Sequence, residues 1–461
     1  MPDFTNRVHA AFAIARSATD DWSDQNGHGT HTAGSIFGNG SAWSNGLFRG
    51  VAYEAQLVHQ SIGDNSGMLY PPSDLNVLFI QAYTNGARIH SDSWGGGENG
   101  EYNAMSQDVD EFMWQHPDML VVFSAGNGAG DYNADGRIDP DSIDPPATAK
   151  NLLAVGAAES QRPPGAGGLA SAMYGDLNSW RGLFPAQVNT DFISHSADGV
   201  HQGIAAFSGR GPTDDGRTKP DLVAPGMNII SCRSHMPQAG TLWGTGYGAL
   251  YNAASNDYTF SGGTSMAAPL VAGAAALVRQ YFAERHLPAI TNPSAALLKA
   301  TLINGARSLT PGQYGYGATR EIPPAPRPNN VEGWGQVDLA ATLTNLTVYA
   351  TNTLATGASA TFTIGLTDTN MVSVCLAWTD YPAAPGAGKK LVNDLDLRLI
   401  TPAGATLYPN GGTAPDRLNN VETIDIPALP PGISTLYVTA YTVPQGGRQP
   451  YALVIRSAAA N

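Results

Sequence analysis

Four short segments set a reactive side chain among small ones. In Gly263-Thr264-Ser265-Met266-Ala267-Ala268-Pro269 a serine falls where a helix is predicted to begin. A helix N-terminus presents unpaired N–H groups and the positive end of its dipole. That suits a nucleophile whose carbonyl substrate becomes an oxyanion. The commoner use of Ser at such a position is as an N-cap. In Gly27-His28-Gly29-Thr30-His31, glycines allow backbone or substrate to come close to His28, a candidate general base. A capping or core histidine is the plainer use. An i, i+3 metal pair with His31 is a third, although no acid or thiol stands at ligand spacing.

The other two segments are supporting ones. Phe123-Ser124-Ala125-Gly126-Asn127 closes an apolar run with an amide that can donate to an oxyanion, or simply make a turn. Ser91-Asp92-Ser93-Trp94-Gly95-Gly96 ends a strand in bare glycines. Such an edge lets a peptide lie down as an added strand, or marks only a turn.

These groups meet only if a scaffold brings them together. Met119–Phe123, Leu152–Val155 and Asp221–Ala224 are short continuous apolar runs. With helical stretches between them they predict buried parallel strands in an α/β sheet flanked by helices. Val8–Ala15 and Ala87–Ile89 read as further strands. Helices are predicted over Asp74–Asn85 with Ser73 as N-cap, over Thr32–Phe37, over Ser265–Phe282, and from Pro293 to just before Gly305. Residues 160–206 and 234–258 read as long insertions, and Pro323–Asn330 as a Pro-rich connector. Beyond about residue 345 the helical period disappears. Thr361–Leu366, Val372–Trp378, Leu395–Ile400, Thr423–Ile426, Leu436–Ala440 and Ala452–Ile455 alternate with turn residues, which predicts a separate all-β sandwich or barrel.

Composition narrows the classes. The 461 residues give room for two or three domains. With 42% apolar residues the chain is not disordered. A net charge of −14 without a basic stripe speaks against a nucleic-acid partner. Met266–Val278 is shorter than the ~18 residues of a membrane span, so no membrane partner is expected. Cys232 and Cys375 cannot build a disulfide framework and read as two buried free thiols.

In the order GHGTH, SWGG, SAGN, GTSMAAP, the chain resembles the subtilisin-like serine proteases. Phe207–Gly226 and Pro146–Gly156 are similar to further segments of that family. Leu391–Leu399 (LVNDLDLRL) and Asn419–Glu422 (NNVE) resemble the small β-barrel, or jelly-roll, domain of its oxidatively stable alkaline branch. The resemblance implies a subtilisin-like peptidase domain over 1–340 and the β domain over 345–461. It implies Ser265 as nucleophile, His28 as general base, and Asn127 with the Ser265 N–H as oxyanion donors. Ser93, Trp94 and Gly95 match the strand that pairs with substrate, and Ser124, Ala125 and Gly126 the second wall of the S1 pocket. It further implies protein or peptide substrates, a secreted monomer, and an apolar or aromatic P1 residue.

The family's third catalytic member is an upstream Asp in Asp-Thr/Ser-Gly, ~30 residues before the histidine. Only 27 residues precede His28, and no such motif occurs among them. Asp3, Asp20, Asp21 and Asp24 are the nearby acids; Asp21 and Asp24 match loop positions, not the catalytic one. The acid strand is therefore expected to be missing, by truncation of a working protease or by true loss. Truncation is the favoured expectation; a catalytically silent peptide-binding scaffold is the competing one.

Asp131-Tyr132-Asn133-Ala134-Asp135-Gly136-Arg137-Ile138-Asp139 fits an EF-hand-type calcium loop, with Arg137 at position 7. Position 12 is Ser142, so Asp141 or Asp144 is the expected closing ligand. A structural calcium is expected there. Asp394 and Asp396 share a strand face and are a second, weaker candidate.

Overall fold

The computed structural model describes the chain except residues 17–20, 44–45, 65, 67, 179, 181, 196–201, 241, 245–255, 287, 318, 325 and 460–461, and the side chains of 351 and 459. Parts of both predicted insertions therefore lie outside the described residues.

Two parallel sheets make the first part. β1 (Val8–Ala13) pairs with β2 (Leu57–Ser61). β3 (Ile89–Asp92), β4 (Leu120–Ser124), β5 (Leu153–Ala158) and β6 (Leu222–Pro225) follow one another across the second sheet. Every residue of β4 and β5 is buried. That is why their sequences, LVVFS and LAVGAA, run apolar or small without alternation. β7 (Ile229–Cys232) and β8 (Tyr258–Ser261) form an antiparallel pair.

The helices are α1 (His28–Phe37), α2 (Asn76–Thr84), α3 (Ala104–Gln115), α4 (Ala186–Asn189), α5 (Thr264–Glu284), α6 (Ala295–Gly305) and α7 (Leu339–Thr342). α5 packs against β3, β4, β5 and β6 and against α1. Its small residues permit the approach: a Cβ on Gly273 would stand 2.7 Å from the Cβ of Val51. By length and composition α5 is also apolar enough to cross a membrane, more so than Met266–Val278 suggested, but most of it is buried in the protein core.

β2 and β3 each leave one edge without a strand partner among the described residues. Between these edges lies a cavity of ≈ 1370 Å³, lined by Val58, Gln60, Ile89, Ser91, Ala33 and Ala272 among others. Gln60 of β2 reaches across to His90 of β3, with Oε1 2.9 Å from Nε2.

The second part is a sandwich of two antiparallel four-stranded sheets. It is built from β9 (Leu346–Leu354), β10 (Ser359–Leu366), β11 (Asn370–Ala377), β12 (Asp394–Ile400), β13 (Thr406–Leu407), β14 (Val421–Leu429), β15 (Gly432–Thr442) and β16 (Gln449–Ala459). One sheet runs β14-β11-β16-β9 and the other β10-β15-β12-β13. Val372, Val374 and Leu376 meet Leu395, Leu397, Leu399, Leu436 and Val438 in the core between them. The reverse face of the first sheet carries Cys375, Ala377, Val421, Ala452 and Val454 into the core of the α/β part, against α6. All eleven residues of α6 are buried as a result. Lys150 Nζ bonds Asp380 Oδ2 at 2.5 Å across this junction, with both side chains fully buried. Cys232 and Cys375 are free and buried, as expected.

Candidate active site

Asn127 follows directly on β4. Its Oδ1 accepts the Thr264 N–H at 2.8 Å and the Thr264 hydroxyl at 3.0 Å. An amide oxygen held by two donors leaves Nδ2 as the outward group. A Cβ on Gly263 would lie 3.5 Å from Asn127 Oδ1, 3.6 Å from its Nδ2 and 3.6 Å from Ser265 N. The Asn127 amide and the Ser265 N–H thus both adjoin Gly263. Gly263 has φ +144, outside the range that side chains favour. Ser265 is in the first turn of α5, where backbone N–H groups have no intrahelical acceptor.

Ser265 is nearly buried and tied to the end of β3. Its Oγ donates to the Ser93 carbonyl at 3.2 Å, and Ser93 Oγ donates to the Ser265 carbonyl at 2.8 Å. Trp94 packs edge-on against Phe123, with ring centroids 5.1 Å apart. Gly96 N donates to the Pro145 carbonyl at 2.9 Å, which fixes the strand end at Gly95. On the other wall, Ala125 N donates to Val155 O, and Gly126 N to Thr264 Oγ1. Ser124 and Ala125 are buried.

His28 opens α1, four residues earlier than its apolar period suggested. The cap is a side chain: Asp24 accepts from Gly27 N at 2.8 Å and from Thr30 N at 2.6 Å. The His28 ring lines the cavity between β2 and β3. Burial lowers its pKa, and the Asp24 charge opposes this. Among the described residues no hydrogen bond joins His28 to Ser265 or to a carboxylate. Asp24 is spent on the helix cap. Asp21 holds Arg16 and Ser23. Asp3 is buried and accepts from Gly40 N, Ala42 N and Tyr258 OH. Asp20 lies outside the described residues.

The family model for subtilases, peptidase S8, matches residues 6–335. The chain belongs to the subtilase family. Among relatives, this subtilase is 29% identical over 502 residues to the serine protease/ABC transporter B family protein tagB of Dictyostelium discoideum, covering 87% of this chain and 25% of tagB. It is 27% identical over 288 residues to the serine protease AprX of Bacillus subtilis, covering 60% of this chain and 54% of AprX. The chain therefore spans about a quarter of tagB and about half of AprX. Among solved structures, sphericase aligns with TM-score 0.47 and 24% identity, covering 73% of this chain and 86% of sphericase.

This subtilase carries two features the sequence reading passed over. One is the clamp of Thr264 on Asn127. The other is a His–Asp pair in the cavity: His90 Nδ1 lies 2.7 Å from Asp92 Oδ2, and Trp94 Nε1 donates to Asp92 Oδ1 at 3.0 Å. With Gln60 on its other nitrogen, His90 has no free ring nitrogen for catalysis. The one signal for it in the sequence is the alternation of His90 and Asp92 on one strand face.

In the 131–139 loop, Asp131 Oδ1 and Asn133 Oδ1 lie 3.0 and 2.8 Å from the same donor, Asp135 N. Gly136, at φ +89, makes the tight turn. Asp131 Oδ2 accepts from Gly136 N, so the loop's own amides engage these oxygens; Asp131, Asn133 and Asp135 are the residues that would hold a hard cation here. Asp139 instead accepts from Tyr132 N and from the Asn133 amide. The Arg137 amide donates to Asp135 Oδ1. Asp141 faces Asp214 and Glu98, whose charges raise its pKa together with burial, burial being the largest cause. Asp144 stands beside Gly126. Among the described residues no three His, Cys, Asp or Glu side chains form a ready metal group. Asp394 is held by Lys389 and Arg417, and Asp396 by Arg417.

Proposed function

We propose that this subtilase is a serine endopeptidase working through an acyl-enzyme. The supporting observation is the Asn127 amide, clamped by Thr264 and standing with Ser265 N about Gly263. Ser265 Oγ turns from the Ser93 carbonyl and attacks the scissile carbonyl. His28 takes the serine proton and returns it to the leaving amine. The carbonyl oxygen gathers negative charge between the two donors, which are already in place and need no reorganisation. Glycines at 95 and 96 leave the β3 end open for substrate backbone.

His28 still needs a carboxylate to hold its tautomer. We place that group on an extended segment lying between β2 and β3. Among the described residues both edges lack a strand partner, and His28 lines the cavity between them. A parallel strand there would join the two sheets and could present an acid to His28 at its end. Calcium in the 131–139 loop, a secreted location and peptide substrates complete the proposal. The test is a fluorophosphonate probe. Labelling that disappears in Ser265→Ala supports the peptidase; no labelling in a protein supplied with the strand and its acid overturns it.

A further inference from the structure

Asp144 occupies a place that calcium binding does not explain. Its amide donates to the Ala125 carbonyl at 3.0 Å, which brings its side chain alongside Gly126. A Cβ on Gly126 would lie 2.5 Å from Asp144 Oδ2. On the opposite side, a Cβ on Gly95 would lie 3.4 Å from the Cβ of Asp144 and 2.9 Å from the Pro145 carbonyl oxygen. The side chain therefore stands between the two substrate-binding walls, 93–95 and 124–126, where both walls have glycine. Asn127, the oxyanion donor, is the next residue after Gly126. A substrate carbonyl held at Asn127 would stand one residue from Gly126, the glycine beside Asp144.

The carboxylate is half-buried, and no hydrogen bond or ion pair reaches it among the described residues. Burial pushes its pKa up, with no neighbouring charge contributing. An aromatic P1 ring seated over it would remove its remaining water and offer no partner, which is unfavourable. A guanidinium or ammonium would pair with it in a charge-assisted hydrogen bond.

We propose that Asp144 is the floor of the S1 pocket and selects a cationic P1 side chain, arginine or lysine, rather than an apolar one. This rests on the endopeptidase reading for its biological meaning, but its test does not need turnover. The probe is p-aminobenzamidine, an aromatic amidinium whose fluorescence rises when it leaves water; benzamide is the neutral comparison. Saturable binding to the 461-residue chain is expected, preferred over benzamide and weakened at least ten-fold in Asp144→Asn and Asp144→Ser. Near-ultraviolet circular dichroism checks that both variants are folded. No saturable binding, equal binding to folded variants, or preference for benzamide would overturn the proposal. Fluorophosphonate labelling of Ser265 is read in parallel, on the protein supplied with the strand and its acid. Amidinium binding without labelling defeats the peptidase reading alone. Labelling without amidinium binding defeats the S1 assignment alone.

Discussion

The Thr264 backbone N–H meets Asn127 Oδ1 at 2.8 Å, so the residue before Ser265 sets the orientation of the Asn127 amide. Asn127→Asp keeps an oxygen for Thr264 but has no N–H to give. Removing one oxyanion donor costs about 10²–10³ in kcat, a magnitude measured on a subtilisin. A comparable fall in the rate of fluorophosphonate labelling is expected for Asn127→Asp, with folding unchanged. Equal labelling rates would remove Asn127 from the oxyanion site.

The open edges of β2 and β3 make a second prediction. Labelling of Ser265 in the 461-residue chain alone should be slow, since loss of the orienting acid costs on the order of 10⁴ in kcat. An added apolar peptide with Asp-Ser-Gly or Asp-Thr-Gly at its end should raise the rate, and the same peptide with Asn for Asp should not. Full-rate labelling without peptide would show that His28 needs no added carboxylate.

His31 predicts how stability varies with pH. It is fully buried, and its pKa is lowered to about 3, by burial first. Its Nε2 donates to the Ile229 carbonyl at 3.0 Å, while Nδ1 has no partner. The native state therefore refuses a proton that the unfolded chain accepts below its usual ~6.5. Stability is full above that value and falls as pH drops from about 6.5 toward about 3, by up to ~1.4 kcal/mol per pH unit. Burial also lowers His28 and His59, which add to the slope. Urea midpoints between pH 7 and 5 should shift less in His31→Gln. An unchanged slope would exclude His31 as the source.

Across the junction with the sandwich, Lys150 Nζ bonds Asp380 and the carbonyls of Tyr381 and Lys390. Lys150→Met strands a buried Asp380, and breaking a buried pair in this way costs about 3–5 kcal/mol. Chemical denaturation should show a loss of that size, with Lys150→Met/Asp380→Leu recovering part of it. A loss under 1 kcal/mol would mean that water reaches Asp380.

Calcium binding in the 131–139 loop predicts a calcium-dependent rise in melting temperature, following the ratio of free ion to Kd. Asp131→Ala and Asp135→Ala should abolish it, while Asp141→Asn should not. Equal melting curves in calcium and in chelator would end the assignment.

The sequence reveals what is regular. β4 and β5 show as unbroken apolar runs because both faces are buried. β15 was visible only at its centre, Leu436–Ala440, because the polar residues at its ends still follow the pleat. α3 was illegible because its inward face carries Ser106 and Asp110. Asp110 accepts from Tyr102 OH at 2.8 Å and from Asn151 N at 2.9 Å, so a satisfied carboxylate takes an apolar position. Of the residues in the proposed site, His28, Asn127 and Ser265 stand in motifs that the sequence displays. Asp144 was not, because its spacing matched the calcium loop while the chain turns it toward Gly126.

The sandwich also sets an order of events. β16, residues 449–459, lies between β11 and β9 and supplies Ala452 and Val454 to the core around α6. A ribosome that has released Ser265 has therefore not yet released the strand that completes the core. Ser265 is made almost two hundred residues before that strand, so a half-made chain carries this serine on an unfinished core.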